Sequence, residues 1–141
     1  MMPSYSIRRR IYFDDTDGGG VVYHTSYLRY MEHGRSEILL QHGFGPGYLK
    51  DELNIVFAVV ELNARYLAPA RLGDLIEVRT EPYSPSHSTL YFKQSVWLLD
   101  EQGVATLQLV SAEVKAVCLN ASTFKPRKTP SEIKETVFSE C

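Results

Sequence analysis

Cysteine is scarce in this sequence, and long apolar runs are missing. The two cysteines, Cys118 and Cys141, form no CxxC pair and match no metal-ligand spacing. We therefore expect a reducing, cytoplasmic location. The longest continuous apolar run covers residues 55–60, far short of the roughly 20 residues that cross a bilayer. Because the first ten residues hold no apolar stretch of signal-peptide length, we also expect no secretory leader.

An excess of charge of one sign is also missing. Seventeen acidic and fifteen basic residues leave a net charge of −2, which gives no electrostatic attraction to nucleic acid or to an anionic membrane. The length of 141 residues suits one domain, and a hydrophobic fraction of 44% is ordinary for a globular protein. We therefore expect a single domain over residues 1–141, with no nucleic-acid partner and no membrane insertion.

The periodicity predicts one strand, one main helix and then four strands. Apolar residues at three- and four-residue spacing predict the helix over about 26–41, capped by Ser26 or Thr25. Three closely spaced glycines around Pro46 predict a loop after this helix. The predicted strands cover residues 5–13, 55–67, 75–81, 89–99 and 105–119, with a break at Pro82, and a polar tail from about residue 125 contains a short helix from Ser131.

This order of elements indicates an α+β domain. Short turns between consecutive strands imply antiparallel pairing, and the helix must bury its apolar stripe against the sheet. A single helix cannot cover both faces of a five-stranded sheet, and the last two strands carry apolar residues on both faces. We therefore expect another subunit to cover the second face.

The segment between the first strand and the helix is poorly suited to a core. Asp14, Asp15 and Asp17 precede three consecutive glycines, Gly18, Gly19 and Gly20. Neighbouring carboxylates repel one another, and glycine loses more backbone entropy on folding than any other residue. These costs favour an active-site loop that directs one carboxylate at a reacting carbonyl.

Two other kinds of site fit this loop less well. A phosphate-binding loop lacks its G-x-x-x-x-G-K-[ST] pattern, and three acids beside the glycines would repel phosphate. A calcium loop of the EF-hand type would place Asp15, Asp17 and Gly20 at its first, third and sixth positions. Its fifth and twelfth positions would be Gly19 and Ser26, which removes two required ligands.

The sequence closely resembles the hotdog-fold acyl-CoA thioesterases of the 4-hydroxybenzoyl-CoA thioesterase and YbgC type. The residues that carry the resemblance are Phe13-x-Asp15-Thr16-Asp17-x-Gly19-Gly20-Val21-Val22-Tyr23-His24-x-x-Tyr27-Leu28, then Met31-Glu32-x-x-Arg35-x-Glu37 and Tyr66-Leu67-Ala68-Pro69-Ala70-Arg71-x-Gly73-Asp74. The resemblance implies a long central helix wrapped by an antiparallel five-stranded sheet. It also implies a dimer with active sites at the subunit interface, often paired into a homotetramer.

The resemblance assigns the catalytic carboxylate to Asp17, the second aspartate of the Asp-Thr-Asp pattern. A carboxylate can attack a thioester carbonyl or activate water for that attack, and the sequence does not separate these routes. The alternative is an ordinary turn aspartate. His24 is expected to orient the loop or polarise the carbonyl, and the alternative is a structural role at the start of the helix, where its ring bonds the backbone.

Backbone groups are expected to form the oxyanion site. Gly19 and Gly20 let the chain approach a ligand, and the resemblance implies a backbone N–H near Tyr23 and His24 in this role. Tyr27 is a candidate wall of the acyl channel, although an aromatic residue at a helix start is more often part of the core.

The remaining polar residues carry weaker assignments. Lys125, Arg127 and Lys128 are candidates for contacts with CoA phosphates, with residues 8–10 as competitors and solvated surface as the simpler interpretation. Glu32 and Arg35 are expected to form an i,i+3 ion pair. Glu61, Asn63 and Arg65 share one face of a strand and could line an interface.

Together these features predict hydrolysis of an acyl thioester, most simply an acyl-CoA, without a metal or redox cofactor, since CoA is part of the substrate. One alternative keeps the fold and takes acyl carrier protein as the thioester carrier. A hydratase would need a differently placed Asp/His pair, which the motif does not show. A non-catalytic acyl-CoA-binding or scaffold protein is the alternative from another functional class.

Overall fold

The computed structural model describes residues 4–138, so Cys141 lies outside the described residues. The strands are β1 (Tyr5–Arg10), β2 (Ile55–Tyr66), β3 (Leu75–Tyr83), β4 (Thr89–Leu99) and β5 (Ala105–Asn120). The helices are α1 (His24–Gln41), α2 (Pro46–Asp51) and α3 (Ser131–Val137), and a single 3-10 turn covers Phe13–Asp15.

The five strands form one antiparallel sheet in the order β1-β3-β4-β5-β2, so β1 and β2 are its edges. Helix α1 packs against one face, over β3, β4 and β1. The predicted α+β class and hotdog fold are confirmed, with one long helix against a five-stranded antiparallel sheet. Strand β4 begins and ends at the predicted residues.

The core lies between α1 and the sheet. Alternate residues of the strands point towards the helix, and Ile76, Val78 and Val96 are fully buried there. A second apolar cluster surrounds Ile38 in the C-terminal half of α1, and α3 joins it through Ile133. Each buried aliphatic side chain of this size contributes about 1.5–3 kcal/mol, so the helix is held along its length.

Gly34 sets how closely α1 approaches the sheet. A Cβ atom at Gly34 would lie 3.0 Å from Thr80 Oγ1, 3.2 Å from Val78 Cγ1 and 3.3 Å from Gln94 Nε2. The buried Gln94 amide donates to the carbonyl of Met31 and to Thr80 Oγ1, both at 2.9 Å. These bonds satisfy a polar group that would otherwise be costly in the core, and they fix the helix on the strands.

Helix α1 begins at His24 and lacks the predicted side-chain cap. Its N-cap residue is Tyr23, and no side chain bonds the free amides there. The Ser26 hydroxyl donates instead to the Asp15 carbonyl at 3.2 Å. The assignment of Ser26 or Thr25 as the cap is therefore wrong, because contacts with the preceding loop fix the helix start.

Two predictions based on proline are also wrong. Pro82 lies inside β3 and pairs with Phe92 of β4. Among residues 4–138, β1 pairs with β3 only as far as Thr80, so the one described neighbour of Pro82 is β4, and a proline lacking its N–H is tolerated where a strand is paired on one side. Pro46 starts α2 instead of continuing a loop, since its fixed φ suits the first helical position, and the buried Leu49 anchors the helix.

No helix among residues 4–138 is long and apolar enough to cross a membrane. Cys118 is fully buried, and burial raises the pKa of its thiol. A buried thiol of this kind is a poor nucleophile, so we assign Cys118 to the core.

We expect Gly34→Ala to destabilise the fold by about 1–2 kcal/mol, because overpacking against the Thr80 and Gln94 network outweighs the gain of about 1 kcal/mol in helix propensity. Urea unfolding measures this change. Gly47→Ala is the matched control, since a Cβ at this helical glycine meets nothing within 4 Å. A Gly34→Ala protein as stable as the wild type would contradict the close helix–sheet contact.

Candidate functional site

Asp15 anchors the loop that precedes α1. Its buried carboxylate accepts a hydrogen bond from the Tyr12 amide at 2.9 Å and forms a close ion pair with Arg29 of α1. Its carbonyl accepts from the Tyr23 amide at 3.1 Å. A buried carboxylate needs such partners, so Asp15 ties the 3-10 turn and the loop to the start of the helix.

The loop after Asp15 folds back on itself and carries Asp17 at an exposed position. The Asp17 amide donates to the Val21 carbonyl at 3.0 Å, and Asp17 Oδ1 accepts from the Gly19 amide at 2.7 Å. Gly18 and Gly20 have φ of +84° and +89°, which favours glycine at both positions. The loop therefore holds one oxygen of the Asp17 carboxylate in place, while Oδ2 makes no described hydrogen bond.

The same loop docks on the turn between β2 and β3. The Val22 amide donates to the Ala70 carbonyl at 3.0 Å, and the Leu72 amide donates to the Gly20 carbonyl, also at 3.0 Å. Tyr27 reaches the same turn from α1, where its hydroxyl accepts from the Ala70 amide at 2.9 Å. Two backbone hydrogen bonds thus fix the glycine loop on the β2–β3 turn, and the Tyr27 hydroxyl holds the same turn to α1.

The first turn of α1 follows directly on the loop that carries Asp17 and presents free amides. The Tyr23 amide is used by Asp15, whereas the amides of His24 and Thr25 lie in the first turn, where an α-helix supplies no acceptor. The His24 ring lies against Tyr66, with ring centroids 4.5 Å apart. These first-turn N–H groups and the helix dipole suit developing negative charge.

Tyr27 belongs to the core of the single chain. It is 2% exposed, packs edge-to-face on Tyr30, and burial raises the pKa of its hydroxyl. Burial, followed by the nearby Asp15 carboxylate, also raises the pKa of Tyr30. The structure therefore favours the core role that the sequence left open for Tyr27, and its hydroxyl supports the Ala70 turn.

An apolar groove of about 600 Å³ lies at the other end of β2. It runs between the C-terminal half of α1, helix α2 and the first residues of β2. The residues that form most of its apolar wall are Leu39, Phe44, Leu49, Ile55, Phe57 and Phe92. Phe124 also lines the groove and is 68% exposed.

The basic residues of the tail lie at the groove end of the molecule. Lys125, Arg127 and Lys128 are exposed and follow Phe124 directly. The Arg127 guanidinium donates to the Leu53 carbonyl at 2.9 Å. The twelve residues of β2, a strand up to about 36 Å long at about 3.3 Å per residue, lie between this cluster and the turn that holds the Asp17 loop, so the two groups are at opposite ends of β2.

The structure therefore gathers only part of the predicted site. Asp17, Gly19, Gly20, Tyr23 and His24 lie together in the loop and the first turn of α1. The predicted Glu32–Arg35 ion pair is not formed. The Arg35 guanidinium donates to Gln94 Oε1 at 2.9 Å, and Glu32 lies 3.8 Å from His33 Nε2.

Sequence reasoning missed two supporting groups of the site. Arg29 pairs with Asp15 fourteen residues earlier in the chain, and Tyr66 contacts His24 from the far end of β2. For Arg29, its place in the second turn of the predicted helix was the one sequence signal that it could reach the preceding loop. For Tyr66 there was no such signal, because its contact with His24 joins residues far apart in the sequence. In the described part of the chain, no group of three His, Cys, Asp or Glu side chains could hold a metal ion.

Comparison with known proteins identifies similar chains. Residues 19–105 match the thioesterase superfamily, a segment that begins just after Asp17. The acyl-CoA thioester hydrolase YbgC of Escherichia coli O6:H1 is 39% identical over 124 residues, which is 88% of each chain. The acyl-CoA thioesterase YbgC of Haemophilus influenzae is 36% identical over 130 residues, 92% of this chain and 91% of the relative.

A solved structure shows a similar fold at lower identity. The crystal structure of a 1,4-dihydroxy-2-naphthoyl-CoA thioesterase from Synechocystis has a TM-score of 0.85 and 20% sequence identity, and the match covers 96% of both chains. Identity at this level supports the arrangement of helix and sheet and carries no further assignment.

We expect Tyr27→Phe to lower the free energy of unfolding by about 1–3 kcal/mol, because it leaves the buried Ala70 amide without an acceptor. Tyr66→Phe is the control. Its hydroxyl is on a 41% exposed residue and makes a long 3.4 Å contact with the His24 carbonyl, so little change is expected. Equal stabilities of the two variants, measured by denaturant unfolding, would argue against the Tyr27–Ala70 bond as a support of the loop.

Proposed function

The chain belongs to the thioesterase superfamily, and from this premise we propose that it hydrolyses an acyl-CoA thioester to the free acid and CoA, with Asp17 as the catalytic carboxylate. The observation that carries the proposal is the 39% identity to an acyl-CoA thioester hydrolase across 88% of both chains. The proposed reaction consumes water and uses no separate cofactor, and we expect it in the cytoplasm.

The geometry around Asp17 supports its proposed role. One carboxylate oxygen is held by the Gly19 amide, and the side chain is exposed to an incoming substrate. In one route the free oxygen attacks the thioester carbonyl, the C–S bond breaks to release CoA thiolate, and water then hydrolyses the mixed anhydride to regenerate Asp17. In the other route the carboxylate takes a proton from water as the water attacks the carbonyl, and the C–S bond breaks to release CoA. A fixed carboxylate lowers the entropy cost of reaching the carbonyl in either route.

We assign the oxyanion role to the His24 amide. The Tyr23 amide donates to the Asp15 carbonyl at 3.1 Å and is therefore occupied. The His24 amide is the next donor along the chain, at the positive end of α1. A thioester oxygen beside it would gain a hydrogen bond as negative charge develops in the transition state. The His24 ring, which packs at a tilt against the Tyr66 ring, supports the position of this turn.

The two sheet edges differ in a way that supports a dimer through β2. Edge strand β1 carries three consecutive arginines at positions 8–10, and charged side chains protect an edge from pairing. Edge strand β2 exposes Val59 and Val60 at 50% and 56%. An apolar, unpaired edge favours pairing with a second copy of the same strand.

Antiparallel pairing of two β2 strands would complete the site. A two-fold axis near Val59 and Val60 sets residues 54–57 of one subunit beside residues 62–65 of the other. The apolar groove at the start of β2 then meets the end of the partner strand, where Tyr66 contacts His24. We propose that the acyl group lies in the groove of one subunit and reacts with Asp17 of the other.

The same pairing supports a role for the basic tail. Lys125, Arg127 and Lys128 follow in the chain soon after Phe124, which lines the groove. In the proposed dimer they lie on the subunit that supplies the groove, close to the Asp17 loop of its partner. Cations at this position suit the phosphates of CoA. The same subunit would then bind the acyl group in its groove and the CoA phosphates through its basic tail, on either side of the thioester.

We expect Asp17→Asn to lower kcat by at least about 100-fold, the range in which acid–base groups contribute. Thiol release from short, long and aromatic acyl-CoAs measures the loss. Asp14→Asn is the matched control, because Asp14 is an exposed neighbour without an assigned role. Its rate should stay near that of the wild type.

Two results would contradict the proposal. Near-normal turnover by Asp17→Asn would remove Asp17 from the chemistry. A wild-type protein that is inactive on every CoA ester, yet active on acyl groups attached to acyl carrier protein, would replace the proposed substrate carrier.

A further inference from the structure

Phe124 holds a backbone conformation that its residue type rarely adopts. Its φ is +58°, in the left-handed region where the Cβ of a bulky residue is crowded. Within residues 4–138, the other positions with a positive φ are five glycines and one asparagine, namely Gly18, Gly20, Gly43, Gly73, Gly103 and Asn54. Glycine adopts this conformation without strain, and asparagine tolerates it. The backbone therefore gives no reason for a phenylalanine at position 124.

The turn that follows β5 imposes this conformation. The Asn120 amide donates to the Lys125 carbonyl and the Phe124 amide donates to the Asn120 carbonyl, both at 2.8 Å. These two bonds close a turn over residues 121–124, with Phe124 at its last position. Gly103 holds the matching position in the β4–β5 turn, where its amide donates to the Asp100 carbonyl at 2.9 Å. Glycine is the usual residue at such a position.

Packing gives no reason for the phenylalanine either. Its side chain is 68% exposed and belongs to neither apolar core cluster. The turn is fixed to the residue before β2 by polar contacts. The Ala121 amide donates to the Asn54 carbonyl at 2.9 Å, and the Ser122 hydroxyl donates to Asn54 Oδ1 at 3.1 Å. Hydrogen bonds of the turn thus hold the Phe124 ring at the wall of the apolar groove.

We propose that Phe124 is a specificity-determining residue, whose ring contacts the acyl chain and favours long apolar acyl groups over short ones. The inference rests on the proposed function, which places the acyl group in this groove. An exposed ring that packs against an alkyl chain removes apolar surface of both from water. An acetyl group is too small to fill a groove of about 600 Å³, so the contact is gained by longer chains. Backbone strain of this kind is typical of binding sites.

Phe124→Gly tests the proposal, because it removes the ring and suits the left-handed backbone. We expect the ratio of kcat/KM for octanoyl-CoA to kcat/KM for acetyl-CoA to fall by at least about 10-fold. The midpoint of urea unfolding should rise, since the strain at this position is relieved. Phe124→Leu keeps an apolar side chain and should retain most of the preference for octanoyl-CoA.

Val104→Ala is the control. Val104 is 58% exposed and lies just before β5, at the opposite end of that strand from Phe124. It has no assigned role, so its loss should leave the ratio of the two kcat/KM values as in the wild type.

Three results would overturn the proposal. An equal loss of kcat/KM for both substrates would place the ring on the CoA part of the substrate. A lower urea midpoint for Phe124→Gly would give Phe124 a structural role. A change in oligomeric state of this variant, measured by sedimentation velocity, would assign the residue to a subunit interface.

A direct binding measurement separates this inference from the proposed function. If the wild type hydrolyses neither CoA ester, the proposed function fails, and the Kd values of octanoyl-CoA and acetyl-CoA, measured by calorimetry, still test the contact. A preference for octanoyl-CoA that falls about 10-fold in Phe124→Gly would support the contact. An unchanged preference, or no binding of octanoyl-CoA to the wild type, would contradict it.

Discussion

In a single chain, the twelve residues of β2 separate the Asp17 loop from the apolar groove. The loop is bonded to the turn that follows β2, and the groove is built on the residues with which β2 begins. Because a strand is a stiff spacer of about 3.3 Å per residue, no local rearrangement brings these parts together. The exposed valines in the middle of β2 favour pairing with the β2 strand of a second copy. That pairing would place the Asp17 loop of one subunit near the groove of the other.

The rest of the fold keeps the loop rigid. Helix α1 lies close to the sheet because Gly34 has no side chain and Gln94 bonds the helix backbone. Its first turn is then fixed relative to the β2–β3 turn, through Tyr27 and Ala70. Asp15 connects the loop to this helix through Arg29. Asp17 and the first amides of α1 are thus placed by buried contacts, although Asp17 itself is exposed.

Much of the fold was predictable from local sequence pattern. The order of elements, the antiparallel pairing and the limits of β4 follow from periodicity and turn residues, because these signals act over a few residues. Pro82 and Pro46 misled the prediction, since whether proline breaks an element depends on its neighbours in space. The helix start at His24 was missed because Asp15 fixes it from the preceding loop.

The candidate site was predictable in part. The Asp-Thr-Asp and glycine pattern marked the loop, and the structure keeps its members together. The support from Arg29 and Tyr66 was not predictable, because it depends on helix and strand ends that meet only after folding. That Lys125 and Asp17 lie at opposite ends of β2 was not predictable for the same reason.

A mixed-subunit experiment tests the central claim most directly. Asp17→Asn removes the carboxylate, and Ser36→Trp fills the groove from an exposed position of α1. Neither variant should hydrolyse acyl-CoA alone. If the site joins Asp17 of one subunit to the groove of another, co-expression should restore about a quarter of wild-type activity, since half of randomly assorted dimers carry one intact site. A mixture as inactive as its parents would contradict a site shared between subunits.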